Sequence, residues 1–125
     1  MTNLLCHCGS EQLLESCCLL YLNGSQKPQS AEALMRSRYS AYVIQNADYL
    51  IETTHISTRK FFSKDEILNW SQQNKWLQLE VLATTENTVT FNAHFLDNQR
   101  IKQIHFEHSY FKKEDGIWYY VDGDY

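Results

Sequence analysis

A chain of 125 residues with a formal net charge of −4 has the length of one ordinary domain with a small appendage. Its composition, 43% hydrophobic and 21% charged, excludes a disordered chain, and its acidic balance argues against a dedicated nucleic-acid binder, so no direct DNA binding is expected. No run of about 18 apolar residues exists to span a membrane, and the first residues lack the basic and apolar regions of a signal peptide. A cytoplasmic protein with reduced thiols is the expectation.

All four cysteines fall within residues 6 to 18. Their spacing is Cys6-x-Cys8, eight residues, then Cys17-Cys18. Four thiolates in so short a segment can close the tetrahedral shell of one structural zinc ion. Gly9 and Ser10 stand where the chain must turn around the metal, and glycine tolerates the positive φ of such turns. Disulfides or free thiols are the alternative, though adjacent cysteines bridge each other only with strain. His7 is read as a bystander. A closed four-thiolate shell leaves no open position for substrate, so the expected role of the metal is folding. Structural zinc contributes about 10–16 kcal/mol to small peptides, enough to hold a segment with almost no core. Residues 1–22 are assigned to this knuckle.

Residues 23–30 read as a linker, broken by Asn23-Gly24-Ser25 and Pro28. Residues 31–125 form the body. Ser30 is a suitable N-cap for a helix from Ala31 to about Gln45. Leu34, Met35, Tyr39, Ala41, Tyr42 and Val43 share one broad face of it, with Arg38 in the middle and Arg36 at the edge. A second helix is expected over Ala47–Thr53. A third is expected over Lys64–Gln72, capped by Ser63 with Glu66 at the capping-box position.

The pattern then changes to period two. Leu77, Leu79 and Val81 are expected to face inward, followed by Val89, Phe91, Ala93 and Phe95. Two further strands are expected over Lys102–Lys112 and Ile117–Asp122, joined by a hairpin at Asp115-Gly116. Helices followed by a four-stranded antiparallel meander make an α+β layout, with the helices covering one face of a curved sheet.

Two resemblances rest on quoted residues. Cys6-His7-Cys8-Gly9-Ser10 with Cys17-Cys18 resembles a SEC-C motif, the zinc knuckle at the tail of the bacterial preprotein translocase motor. In that motor it docks an export chaperone and ribosomes. The element order is similar to the cone-shaped NTF2-like (cystatin-like) fold. Leu34-Met35-Arg36-Ser37-Arg38-Tyr39-Ser40-Ala41-Tyr42, Asp48-Tyr49-Leu50, Trp76-Leu77 and Gly116-x-Trp118-Tyr119-Tyr120-x-Asp122-Gly123 resemble the YchJ-like bacterial proteins of uncharacterised function. Members typically carry a second knuckle after that last segment. No cysteine follows it here, so bridging through two knuckles is not expected. Members also often read Glu-Arg-Ser-Arg-Phe where this sequence has Glu107-His108-Ser109-Tyr110-Phe111.

Such folds commonly enclose a cavity between sheet and helices. If Phe111 points to the core, alternation points Glu107 and Ser109 there too, and Arg38 becomes a partner for a bidentate pair with Glu107. Arg38, Tyr39, His55, Glu107 and Tyr119 are therefore the ligand-pocket candidates. The structural alternative makes Arg38–Glu107 an ion pair, the tyrosines core rings and His55 a cap or surface residue. His105 and His108 are expected to alternate across their strand and form no metal site. No catalytic residue is assigned.

Three functions follow. One is an adaptor that binds protein or ribosome through the knuckle. Another is a small-molecule-binding or acid–base enzymatic domain built around Arg38 and Glu107. The third is a structural subunit that forms a homodimer through its sheet.

Overall fold

The computed structural model describes residues 4–124. A 3-10 turn at Leu14–Ser16 precedes α1 (Cys18–Leu22), α2 (Ala31–Val43), α3 (Ala47–Glu52), α4 (Ile56–Arg59) and α5 (Lys64–Gln73). The strands β1 (Lys75–Thr84), β2 (Thr88–Leu96), β3 (Lys102–Glu114) and β4 (Ile117–Asp124) follow. They pair antiparallel in chain order, so the α+β layout is the expected one.

The helix boundaries have local causes. Ser30 accepts a hydrogen bond from the Ala33 amide at 3.0 Å, Asn46 from Tyr49 at 3.1 Å and Ser63 from Glu66 at 3.4 Å. Each side chain satisfies one of the amides that a helix start leaves unpaired. Helix α2 ends at Ile44, and Gln45 turns the chain at φ 63°. The short helices α1 and α4 carry no periodic signal and were not expected. At Asp115-Gly116 both residues have positive φ, 52° and 80°, which matches the right-handed twist of the strands they join.

Leu34, Met35 and Tyr39 of α2 pack on Leu79, Val89, Phe91, Ala93, Phe111, Trp118 and Tyr120 from the inner sheet face. The alternation of β2 is intact. In β1 it is not: a register shift between Trp76 and Gln78 puts Trp76 opposite Phe95, while Leu79 lies opposite Ala93. Trp76 therefore packs inward beside Leu79 and Val81, and Leu77, expected inside, is exposed. A bulge adds one residue to the strand, and one residue is enough to reverse a side chain's face.

At the end of the sheet Ser109 lies opposite Gly123, and the Glu107 side chain rests on that glycine. A Cβ on residue 123 would lie 2.2 Å from Glu107 Oε2 and 2.6 Å from Cδ. Gly123→Ala is accordingly expected to push Glu107 from its place and destabilise the fold by about 1–3 kcal/mol, the usual cost of overpacking. Urea unfolding of the variant checks this.

Candidate functional site

Two constellations stand out, and α2 separates them. In the knuckle, an antiparallel bridge between Leu5 and Leu13 brings the two cysteine pairs together. The Cys6 amide donates to Gln12 O at 2.8 Å, and Gly9 and Glu11 reverse the chain at φ 82° and 68°. The Sγ atoms of Cys6, Cys8, Cys17 and Cys18 all lie within 4.8 Å of one another, and three of these residues are buried. None forms a disulfide. A tetrahedral site with metal–sulfur bonds of about 2.3 Å has sulfur–sulfur edges of about 3.8 Å. Cys8 and Cys17 stand 3.7 Å apart, so the donor set fits a metal ion.

The Cys6 thiol is held low by hydrogen bonds from Cys18 and Cys8, while Cys18 is pushed up by its contacts with Cys6 and Cys8. Cys17 is raised by burial. One of its contacts is Ser10 Oγ, 3.2 Å from its sulfur.

The knuckle is attached to the body through α2. Arg36 donates to the Cys8 carbonyl, and its Nε donates to Glu32 at 3.0 Å. The Ser40 hydroxyl lies 3.7 Å from Cys6 Sγ, a hydrogen-bonding distance for sulfur. Hydrogen bonds of this kind orient the ligands of a metal site.

The second constellation is a cavity of about 260 Å³ between the other side of α2 and the sheet. Arg38, Tyr42, Phe62, Trp70, His105, Glu107 and Tyr120 line it. A second, smaller cavity shares Tyr42, Trp70, His105 and Glu107 with it and is also lined by Met35, Tyr39, Trp76 and Phe91. Glu107 Oε1 accepts from His105 Nε2 at 2.9 Å, and Oε2 accepts from Ser109 Oγ at 2.6 Å and Tyr120 OH at 2.9 Å. Burial alone would raise the Glu107 carboxyl. The bonds from His105, Ser109 and Tyr120 outweigh it and leave the pKa lowered, so the group is an anion.

Arg38 does not pair with Glu107. Its Nη1 donates to Leu50 O at 2.9 Å, Thr53 Oγ1 at 2.7 Å and Thr54 Oγ1 at 3.4 Å. Its guanidinium lies over the Tyr120 ring, 4.3 Å from the centroid. Tyr120 thus touches both charges, its face on the cation and its hydroxyl on the anion. The expected bidentate pair is corrected in this way: the carbonyls and hydroxyls at the end of α3 reach Arg38 first.

The other sequence candidates divide. Tyr39 is a core ring beside Trp76, its hydroxyl pushed up to about 12 by burial. Tyr119 is on the opposite face from Tyr120 and packs on His55 at 5.6 Å, so it does not reach Glu107. His55 is the N-cap of α4. Its Nδ1 accepts from the Ser57 amide at 3.1 Å, which leaves Nε2 to donate to Glu114 at 2.9 Å. It lies outside the Glu107 cavity. His108, on the other face of β3, meets Thr90 Oγ1. Tyr42, Phe62, Trp70, His105 and Tyr120 are the cavity residues that sequence reasoning did not place there. For His105 and Tyr120 a signal was present, since they lie at even spacing from inward residues, Glu107 and Trp118.

Residues 30–123 match the family described as YchJ, middle NTF2-like domain. A UPF0225 protein of Enterobacter sp. (strain 638) is 39% identical over 95% of this chain and 82% of its own length. A UPF0225 protein of Geobacter sulfurreducens is 37% identical over 98% and 80%. Among solved structures, a SEC-C motif containing protein from Rhodopseudomonas palustris superposes with a TM-score of 0.89 at 37% identity, over 97% of this chain and 98% of that one. Another, from Psychrobacter arcticus, gives 0.79 at 26%, over 94% and 80%. The fold is therefore NTF2-like with a SEC-C knuckle in front.

The buried anion makes stability depend on acid. A carboxyl whose folded pKa lies below its ordinary value of 4.5 stabilises the fold fully above that value. The contribution is lost as pH falls from there through the folded pKa. Wild-type protein is expected to lose stability over this acid window more steeply than Glu107→Gln, as urea midpoints measured across the window would show.

Proposed function

This chain belongs to the YchJ family of UPF0225 proteins, and we propose that it acts in the cytoplasm as a zinc-dependent docking module that binds a protein through its knuckle. The zinc is structural, with Cys6, Cys8, Cys17 and Cys18 as its ligands. What carries the reading is that a segment with hardly any core leaves large apolar side chains out: Leu4, Leu5 and Leu19 are 51%, 55% and 38% exposed. A metal-templated segment this small leaves large apolar side chains outside, and the bonds from Arg36 and Ser40 present them in a fixed orientation on the body.

Charge narrows the partner. Residues 1–22 contain Glu11 and Glu15 and no lysine or arginine. A divalent ion with four thiolates adds about two further negative charges. Such a surface repels a phosphate backbone and suits an apolar protein surface with a basic rim. A ribosome would then be met through one of its proteins rather than its RNA.

Purified protein is expected to carry one zinc per chain by native mass spectrometry, and a Cys8→Ser, Cys17→Ser double variant to carry none. The docking test uses Leu5→Glu with Leu19→Glu, which leaves the four ligands in place. Wild-type protein is expected to pellet with purified ribosomes, or to return the same proteins in repeated affinity capture. The zinc-loaded double-Glu variant is expected to lose both. Equal recovery by wild type and variant contradicts the reading.

A further inference from the structure

The cavity of Arg38 and Glu107 has no part in docking at the knuckle, and its chemistry points elsewhere. Opposite charges brought into one low-dielectric space normally pair, because an isolated buried charge is costly. Here they do not. Arg38 and Glu107 are 7% and 6% exposed, line the same cavity, and both contact Tyr120, one at its ring face and the other at its hydroxyl. Both line the cavity, and each keeps hydrogen-bonding capacity beyond the partners it has.

Only Nη1 of Arg38 is bonded to α3 and the residues after it; Nε and Nη2 have no acceptor among the described residues. A guanidinium has five N–H donors in a planar fork, and the unused ones suit a carboxylate. Glu107 accepts three hydrogen bonds, from His105, Ser109 and Tyr120. A carboxylate has about four lone-pair positions, so one more donor can be taken. The remaining walls are aromatic: Tyr42, Phe62, Trp70 and Tyr120. Of these walls, Trp70 is 37% exposed.

From this we infer that the cavity binds a compact zwitterion with an aromatic body, of the chemical class of an aromatic α-amino acid. Its carboxylate meets Arg38, its ammonium meets Glu107, and its ring packs among Tyr42, Phe62 and Trp70. A ligand with one charge leaves the opposite wall uncompensated. A neutral ligand leaves both. The size agrees. Pockets for drug-sized ligands run from about 300 to 1,000 Å³, and 260 Å³ suits something smaller. A smaller apolar cavity of about 60 Å³, which shares Tyr42 and Trp70 with it, lies toward Met35 and Tyr39.

The test uses unaltered full-length protein and a panel built on one ring. Isotope-labelled protein is titrated with L-phenylalanine, with L-phenylalaninamide, which lacks the carboxylate, and with N-acetyl-L-phenylalanine, which lacks the ammonium. Phenylalanine is expected to bind saturably, with Kd at or below about the millimolar range. Its shifts should gather on the Trp70 and Trp76 indoles and on the amides around Glu107 and Tyr120. Each blocked analogue should bind about tenfold more weakly or worse, because it leaves a buried charge without its partner. Glu107→Gln should weaken phenylalanine by a similar factor. The inference is overturned if phenylalanine gives no saturable shift at these residues. It is equally overturned if either blocked analogue binds as well as phenylalanine. A misfolded Glu107→Gln variant would not alter these readings, since the analogue panel needs no substitution.

Discussion

Helix α2 is enclosed on three sides, and the placement of everything else depends on how its polar residues are satisfied there. Ser37, Arg38 and Ser40 are all buried. A helix that carries such groups inward is stable only where each finds a partner. Ser37 bonds the Leu34 carbonyl and the Tyr49 hydroxyl, which locks α3 against it. Arg38 caps the end of α3 through the Leu50 carbonyl and two threonines. Arg36 and Ser40 reach the knuckle. The apolar residues Met35 and Tyr39, on the remaining side, meet the sheet.

This arrangement explains why the knuckle and the cavity belong to one unit. A single run of residues, Arg36 to Ser40, touches the thiolate cluster at its ends and the cavity in its middle. A four-thiolate segment could fold on metal alone as a bead on a string. Here the Cys8 carbonyl and the Cys6 sulfur are bonded to the body, and Gly9 passes close to the Leu79 carbonyl of β1. An ion held by the four sulfurs would therefore be coupled to the position of α2, since a group bound in the folded state shifts the equilibrium of whatever it contacts.

Much of this was legible in the sequence, for identifiable reasons. Cysteine spacing marks a four-sulfur cluster able to hold a metal whatever surrounds it. The clean alternation of β2 and the Asp115-Gly116 hairpin define the meander, because period two and positive φ are backbone requirements. The parity of Glu107 with Phe111 placed the carboxylate inside. What escaped depended on single-residue displacements and on competition among partners. The bulge after Trp76 reversed Leu77 without any glycine to announce it. Choosing Tyr119 over Tyr120 was an error of parity that Trp118 could have corrected. The partner of Arg38 was out of reach of sequence reasoning, because the acceptors that reached it belong to the end of a neighbouring helix. Gly123 is conspicuous only once Glu107 is seen to lie on it.

The central claim is that the four-cysteine knuckle, with the zinc proposed for it, and the body are one cooperative structure joined through α2. Native-state hydrogen exchange on zinc-loaded and chelator-treated protein tests it most directly. The account predicts that removing zinc speeds exchange in the knuckle and also in the α2 amides from Arg36 to Ala41, which should open as part of the same unit. Loss of protection confined to the residues before Asn23, with α2 unchanged, would contradict it.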